Sequence, residues 1–563
     1  MVPRARFVVV IAVLAVWTAA VVGRLFQVQV LQSRAWEAEA ARQQERTLEV
    51  QEPRGDIRTR DGRILAGSLE RVAVWANPRK LSRAWWPEVA DRLAPLVSQT
   101  RTAILAQLEE RDGFFYLAKD LEPEVAREVA RLRHKGVGTL PMERRVYPHG
   151  TLAGPVVGFV DAEGVGQAGL ESSYEKTLGG AAAVYRLFRD GKTVPTPLDL
   201  RLEKPGRPGL SLELSLDSRV QAVVEQELVR TLADVGGAGA SAVVLDPRTG
   251  EILALASLPS YDPGHVGDSP RRDWRNRAVE DAVEPGSTFK PFIVAAALGT
   301  GVLQPWEIVD CSGGGVQVAG EFIHDHANYG LLPLRAVLAK SSNAGAIRIA
   351  HRVGEQQLDE AIRLFGFGRP TGIELPAEAS GIYRGPAGWS ALSRAGLAIG
   401  QEVSTSPLQL AQAYAAIAND GVLVKPTLVL ATVDRDGTIV TPSHRPPQRR
   451  ALAPEVARAL TEMLTAVVEE GTGRAAAVPG FRVAGKTGTA QKAVGGSYAA
   501  GRHAAWFAGF LPVPNPEFVI VVCIDEPEVT FWAADVAAPA FGRIAARIVT
   551  LRGMPPQLVG ERT

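Results

Sequence analysis

The chain has 563 residues, too many for one ordinary hydrophobic core, so two or more domains are expected. Hydrophobic residues make up 46% and charged residues 22%, a globular composition that excludes a disordered chain. Lys+Arg (62) nearly balances Asp+Glu (61) and no basic face dominates, which argues against a nucleic-acid partner.

Arg4 and Arg6 precede an uncharged apolar run over residues 7–23, and Arg24 closes it. As a helix this run spans about 25 Å. The next residues, Leu25-Phe26-Gln27-Val28, complete a bilayer crossing while Arg24 snorkels. A cleaved signal peptide with Thr18-Ala19-Ala20 as its site is the rival, but the run is long for one. The expectation is a cytoplasmic tail over 1–6, an uncleaved anchor over 7–28, and the rest of the chain outside.

Residues 29–204 read as a segment of mixed helix and strand character. Asp61-Gly62 predicts a tight hairpin turn. The stretch 82–136 reads as helical, with Val89, Leu93, Leu96, Ile104 and Leu108 at helical spacing. Two prolines and two glycines in Lys204-Pro205-Gly206-Arg207-Pro208-Gly209 predict a linker over 205–209. Beyond it, residues 216–232 form an amphipathic helix opened by Asp217, and 241–245 with 251–255 a buried hairpin. The middle, 287–470, reads as mostly helical. Strands return at 482–489, 504–510 and 518–524. An α+β domain over 210–553 follows, its sheet drawn from both ends, with a tail over 554–563. Cys311 and Cys523 either pair in an oxidising compartment or fill core space. His324-Asp325-His326 lacks a distant fourth ligand and reads as a loop, not a metal site.

Three short motifs carry chemistry. Ser287 and Lys290 in Ser287-Thr288-Phe289-Lys290 lie one turn apart at a helix start, so a lysine of lowered pKa could activate the hydroxyl. In Ser341-Ser342-Asn343, Ser341 could relay a proton and Asn343 hold a substrate amide. In Lys486-Thr487-Gly488-Thr489, a glycine in a strand marks close approach, and Lys486, Thr487 and Thr489 suit a carboxylate. The N–H groups of Ser287 and Thr489 could form an oxyanion hole. Alone, each motif is as readily a helix cap, a turn or an edge strand; the three in this order are specific.

With these motifs the chain resembles the class B penicillin-binding proteins, the monofunctional transpeptidases. Arg54-Gly55 through Leu65-Ala66, Arg145-Val146-Tyr147-Pro148 and Gly169-Leu170-Glu171 are similar to the family's N-terminal motifs, with Thr59 where aspartate is usual. Gly400-Gln401, Ser406-Pro407-Leu408-Gln409 and Ala538-Pro539-Ala540-Phe541 also fit. Trp532-Ala533-Ala534-Asp535 departs from a glycine-rich pattern.

The resemblance implies an antiparallel sheet flanked by helices, the serine β-lactamase/penicillin-binding transpeptidase fold, on a non-catalytic, dimerisation-like N-terminal α+β pedestal over 29–204, with one transmembrane helix. It implies Ser287 as nucleophile, Lys290 as base, Ser341 as proton shuttle, Asn343 as amide holder and Lys486 as cationic neighbour, with Thr487, Gly488 and Thr489 binding substrate. No metal or organic cofactor is implied. The implied partners are stem peptides with a D-Ala-D-Ala donor and an amine acceptor, β-lactams, a SEDS-type glycan polymerase, and other divisome or elongasome membrane proteins. The implied location is the bacterial cytoplasmic membrane, crossed once, with catalysis on the outer side, and a division role is favoured. The alternatives are a D,D-carboxypeptidase, a β-lactamase-like hydrolase and a non-catalytic wall-synthesis scaffold.

Overall fold

The computed structural model describes residues 4–33, 45–188, 200–442, 448–494 and 497–557. Two compact units divide the chain: residues 1–53 with 179–209, and residues 54–178 with 210–563. The division thus keeps most of the residues preceding the 205–209 segment with the catalytic region.

In the smaller unit, a helix Arg4–Phe26 runs into a wide turn Gln27–Leu31. Residues 7–31 have mean hydropathy 2.3 and none of them is buried, so the segment is long and apolar enough to cross a membrane. Strands Glu45–Val50, Ala183–Phe188 and Leu200–Lys204 form an antiparallel sheet, the second strand central.

The larger unit begins with the expected hairpin. Ile57–Arg58 pairs with Ile64–Ala76, and Gly62 takes φ +80° in the turn, which only glycine adopts without strain. Thr59, at the aspartate position, accepts a hydrogen bond from Arg63 N at 3.0 Å, so the turn stays closed. The stretch expected to be helical is so only in part. Helices Trp86–Leu93, Arg101–Glu110 and Glu124–Ala130 are interrupted by a strand Phe115–Leu121, which pairs with Ile64–Ala76. Phe115 and Leu117 point into the core and Tyr116 outward, a period of two within too few residues to stand out from the helical pattern.

The N-terminal motif residues meet in one place. Glu171 is fully buried between Arg54 and Arg145, each placing Nε 2.7 Å from one carboxylate oxygen. Arg54 also donates to Glu171 O at 2.9 Å and Arg145 to Gly55 O at 2.8 Å. Two guanidiniums sharing one buried carboxylate tie three segments distant in sequence.

The catalytic core starts with α1, Ser218–Val235, capped by Asp217, which accepts from Arg219 N at 3.0 Å. Strands β1, Gly239–Leu245, and β2, Ile252–Leu258, follow, then α2, Lys290–Gly299; α3, Asn343–Arg352; α4, Pro407–Ala418; β3, Ala484–Val494; β4, Ser497–Leu511; β5, Phe518–Asp525; and α5, Ala537–Leu551. The sheet order is β2-β1-β5-β4-β3, antiparallel throughout, with strands from both ends of the domain as expected. Every residue of β1 and of β5 is buried because helices cover both faces, α1 and α5 on one and α4 with the helical region on the other. The middle is less purely helical than its sequence reads. Short strand pairs join Ile308–Cys311 to Gly330–Pro333 and Gly315–Val318 to Glu321–His324, and Val429–Val433 joins Ser211–Leu214 in a larger sheet. The cysteines do not pair: Cys311 packs beneath the start of α3 and Cys523 lies on β5, both buried and free.

Glu171→Ala would leave the buried Arg145 guanidinium without its carboxylate and Arg54 with only Glu175, 2.8 Å away, and is expected to cost about 3–5 kcal/mol. Chemical denaturation of variant and parent checks this, with a clear fall in the midpoint expected.

Candidate active site

Ser287 sits in a tight 3-10 turn, Gly286–Phe289, that runs into α2. Pro291 has no N–H, so the carbonyl of Ser287 cannot take the usual i+4 donor and accepts from Lys290 N instead. Tyr414, fully buried on α4, donates to Thr288 O at 2.8 Å and holds the turn from below. Gly286 N donates to Gly400 O at 3.1 Å, and a Cβ on Gly400 would lie 1.9 Å from Gly286 O. The Gly400-Gln401 segment therefore buttresses the turn that carries Ser287.

Ser341 and Ser342 join the helix Leu334–Ala339 to α3. Ser341 has φ +59°, a strained conformation for a residue with a side chain. Its carbonyl accepts from Lys290 Nζ at 2.5 Å, and Lys290 Nζ also donates to Asn343 Oδ1 at 2.7 Å and lies 3.3 Å from Ser341 Oγ. From the other side Lys486 Nζ approaches Ser341 Oγ at 2.9 Å and donates to Thr487 O at 3.0 Å. One hydroxyl thus lies between two lysines, both with 0% exposure.

Burial sets their charge. It lowers the pKa of Lys290 to about 7, against the opposing pull of Asp325 and Cys311. Lys486 is pushed well below the usual lysine range by burial and then by the neighbouring Lys290. Two ammonium groups on one hydroxyl in a dry site repel, so the pair holds a neutral amine near neutral pH.

Lys486 to Thr489 lie on β3, which among the described residues pairs only with β4 and so leaves one edge for the turn that carries Ser287. A Cβ on Gly488 would stand 2.5 Å from Pro285 O and 2.9 Å from Thr288 N, so glycine alone lets the strand lie this close. An open cleft of about 330 Å³ is lined by Ser287, Ser341, Asn343, Thr487, Gly488 and Thr489, with Lys290 and Lys486 behind its wall. All eight residues singled out from sequence converge here.

Other residues at the cleft were not singled out from the sequence. Thr472 Oγ1 is 2.7 Å from Thr487 Oγ1, while Thr472 N donates to Ala339 O at 3.1 Å, linking two of the motifs. Gly471-Thr472-Gly473 is the trace it leaves in sequence. The loop carrying Trp532 reaches the cleft, with Ala533 N donating to Thr489 Oγ1 at 3.1 Å and His326 against the Trp532 ring at 5.4 Å. Asp325 accepts from Ser342 Oγ at 2.7 Å. Among the described residues no three His, Cys, Asp or Glu side chains gather as metal ligands.

Residues 240–546 match the penicillin binding protein transpeptidase domain and residues 49–214 the penicillin-binding protein dimerisation domain. With a serine, two buried lysines and an edge-strand glycine so arranged, the chain belongs to the penicillin-binding protein transpeptidase family. It is 33% identical over 557 residues to the probable peptidoglycan D,D-transpeptidase PbpC of Pseudomonas aeruginosa, covering 98% of this chain and 96% of the relative. The peptidoglycan D,D-transpeptidase FtsI of Escherichia coli is 32% identical, with 98% and 92% covered. Penicillin binding protein 3 of Mycobacterium tuberculosis, solved with aztreonam, superposes with TM-score 0.71 at 30% identity, with 90% and 99% covered. With a dimerisation domain ahead of the transpeptidase domain, the protein is a class B penicillin-binding protein.

Gly488→Ala is expected to push β3 off the Ser287 turn and slow acylation by a β-lactam on the order of 100-fold. Stopped-flow acylation of samples shown to be folded by a thermal melt checks this, with a lowered midpoint also expected because a Cβ 2.5 Å from a backbone carbonyl forces the backbone to move.

Proposed function

We propose that this protein is a D,D-transpeptidase that cross-links peptidoglycan stem peptides through an acyl-enzyme on Ser287. The observation that carries the reading is the Ser341 hydroxyl held between buried Lys290, one turn after Ser287, and buried Lys486. Neutral Lys290 takes the proton of Ser287 Oγ as that oxygen attacks the carbonyl of the penultimate D-alanine. The N–H groups of Ser287 and Thr489 receive the developing oxyanion. Thr487 and Thr489 hold the terminal carboxylate, and Asn343 the donor's amide. Ser341 passes its proton to the departing D-alanine amine and takes one back from protonated Lys290, the C–N bond breaks and the ester remains. An amine of a second stem peptide attacks the ester and gives up a proton to the lysine–serine pair. Its new amide bond is the cross-link, and Ser287 is released as the hydroxyl.

Among the described residues lining the cleft there is no carboxylate to activate water, which favours an amine acceptor over the hydrolase readings. β-Lactams act as donor mimics. Arg4 and Arg6 ahead of the apolar run support an N-terminus in the cytoplasm and catalysis outside. Glycan polymerisation falls to a membrane partner of the SEDS type, and likeness to the FtsI protein favours a role in division. A fluorescent fusion along the side wall rather than at midcell would overturn the division role.

A fluorescent penicillin is expected to label wild type one-to-one on Ser287 by peptide mass spectrometry and to leave Ser287→Ala unlabelled. Labelling elsewhere would sink the assignment. Because Lys290 acts as a neutral amine, its protonation below pH of about 7 should slow acylation. The second-order constant should therefore climb with an ascending limb centred near pH 7, readable from a series over roughly pH 5 to 9.

A further inference from the structure

Asp325 lies in the loop between the strands Glu321–His324 and Gly330–Pro333. Its carboxylate gathers three donors from the Ser341–Asn343 turn and the start of α3: Ser342 Oγ at 2.7 Å, Ala344 N at 3.3 Å, and Asn343 N. It thus caps α3 from outside the helix, where a negative charge is favoured. The preceding carbonyl, His324 O, accepts from Asn343 Nδ2 at 2.8 Å, which leaves Asn343 Oδ1 to face Lys290. One loop therefore fixes the amide orientation of Asn343 and the backbone of the strained turn whose carbonyl also holds Lys290.

Charge adds to geometry. Among the described residues no carboxylate hydrogen-bonds Lys290 or Lys486, and Asp325 is the largest anionic influence on Lys290. The other titratable groups around that amine are Lys486 from β3, Cys311 from the strand beneath α3 and His326 from the loop itself.

We propose that Asp325 is a positioning residue for acylation, pinning the Ser341–Asn343 turn so that its acceptors meet Lys290 while its own charge acts on that amine. The inference rests on Ser287 as nucleophile and Lys290 as base. Asp325 opposes the effect of burial, so it keeps the proton on Lys290 to higher pH than burial alone would. Removing the charge should let Lys290 deprotonate at lower pH, while loosening the turn slows the reaction.

The test is fluorescent-penicillin acylation of the full chain across pH for wild type, Asp325→Asn and Asp325→Glu, with thermal melts and Ser287→Ala as the control. Asp325→Asn is expected to acylate on the order of 10-fold more slowly at its plateau. Its ascending limb should lie at lower pH than that of wild type, and Asp325→Glu should return the limb to the wild-type position. A slowed Asp325→Asn with an unmoved limb reduces Asp325 to a structural cap and overturns the inference, as do unchanged rates. If Asp325→Asn does not melt cooperatively, Asp325→Glu carries the test: a wild-type limb with slower acylation supports the inference, and a displaced limb overturns it. Failure of wild type itself to be labelled on Ser287 would sink the transpeptidase reading instead, so the two failures are distinct.

Discussion

The site depends on one hydroxyl held between two dehydrated lysines. Ser341 Oγ lies 2.9 Å from Lys486 Nζ and 3.3 Å from Lys290 Nζ, and neither lysine reaches solvent. In water both amines would carry a proton and neither would serve as a base. Removing them from water and setting them beside one another makes double protonation costly. That cost is what turns an ordinary lysine into a neutral amine able to accept a proton, the role proposed for Lys290 towards Ser287.

The fold supports this by placing each lysine on a different, well-braced element. Lys290 opens a helix whose residues from Lys290 to Ala297 are all buried, and Lys486 lies on the edge strand of a sheet packed on both faces. The contact between them is backbone-close: glycine at 488 and at 400 lets strand and loop approach the Pro285–Thr288 turn at distances no side chain tolerates. Strain at Ser341 is held in place by α3 and its external cap. The shared carboxylate of Glu171 ties the pre-catalytic segments together, away from the reacting groups.

Much of the site was legible in sequence because its chemistry is written in local spacing. Serine and lysine one turn apart at a helix start, and lysine, threonine and glycine along one strand, need no knowledge of distant neighbours. The residues that were not legible act across the fold. Asp325 binds residues 342 to 344, Thr472 binds Thr487, and the Trp532 loop reaches Thr489. Asp325 between two histidines is, read locally, only a polar loop. The strand Phe115–Leu121 was hidden for a related reason: its pairing partner lies some forty residues earlier, and the surrounding pattern is helical. In the middle of the domain, short strand pairs are too brief to show a period of two.

The central claim is that the Ser287 ester passes to an amine. Its most direct test is to incubate the protein with a stem peptide ending in D-Ala-D-Ala and a second bearing a free amine, and to follow protein and products by mass spectrometry. The account predicts a transient adduct on Ser287 lacking one D-alanine, release of that D-alanine, and a cross-linked peptide that disappears in Ser287→Ala. Hydrolysed donor as the sole product, or cross-linking that survives the loss of Ser287, would contradict it.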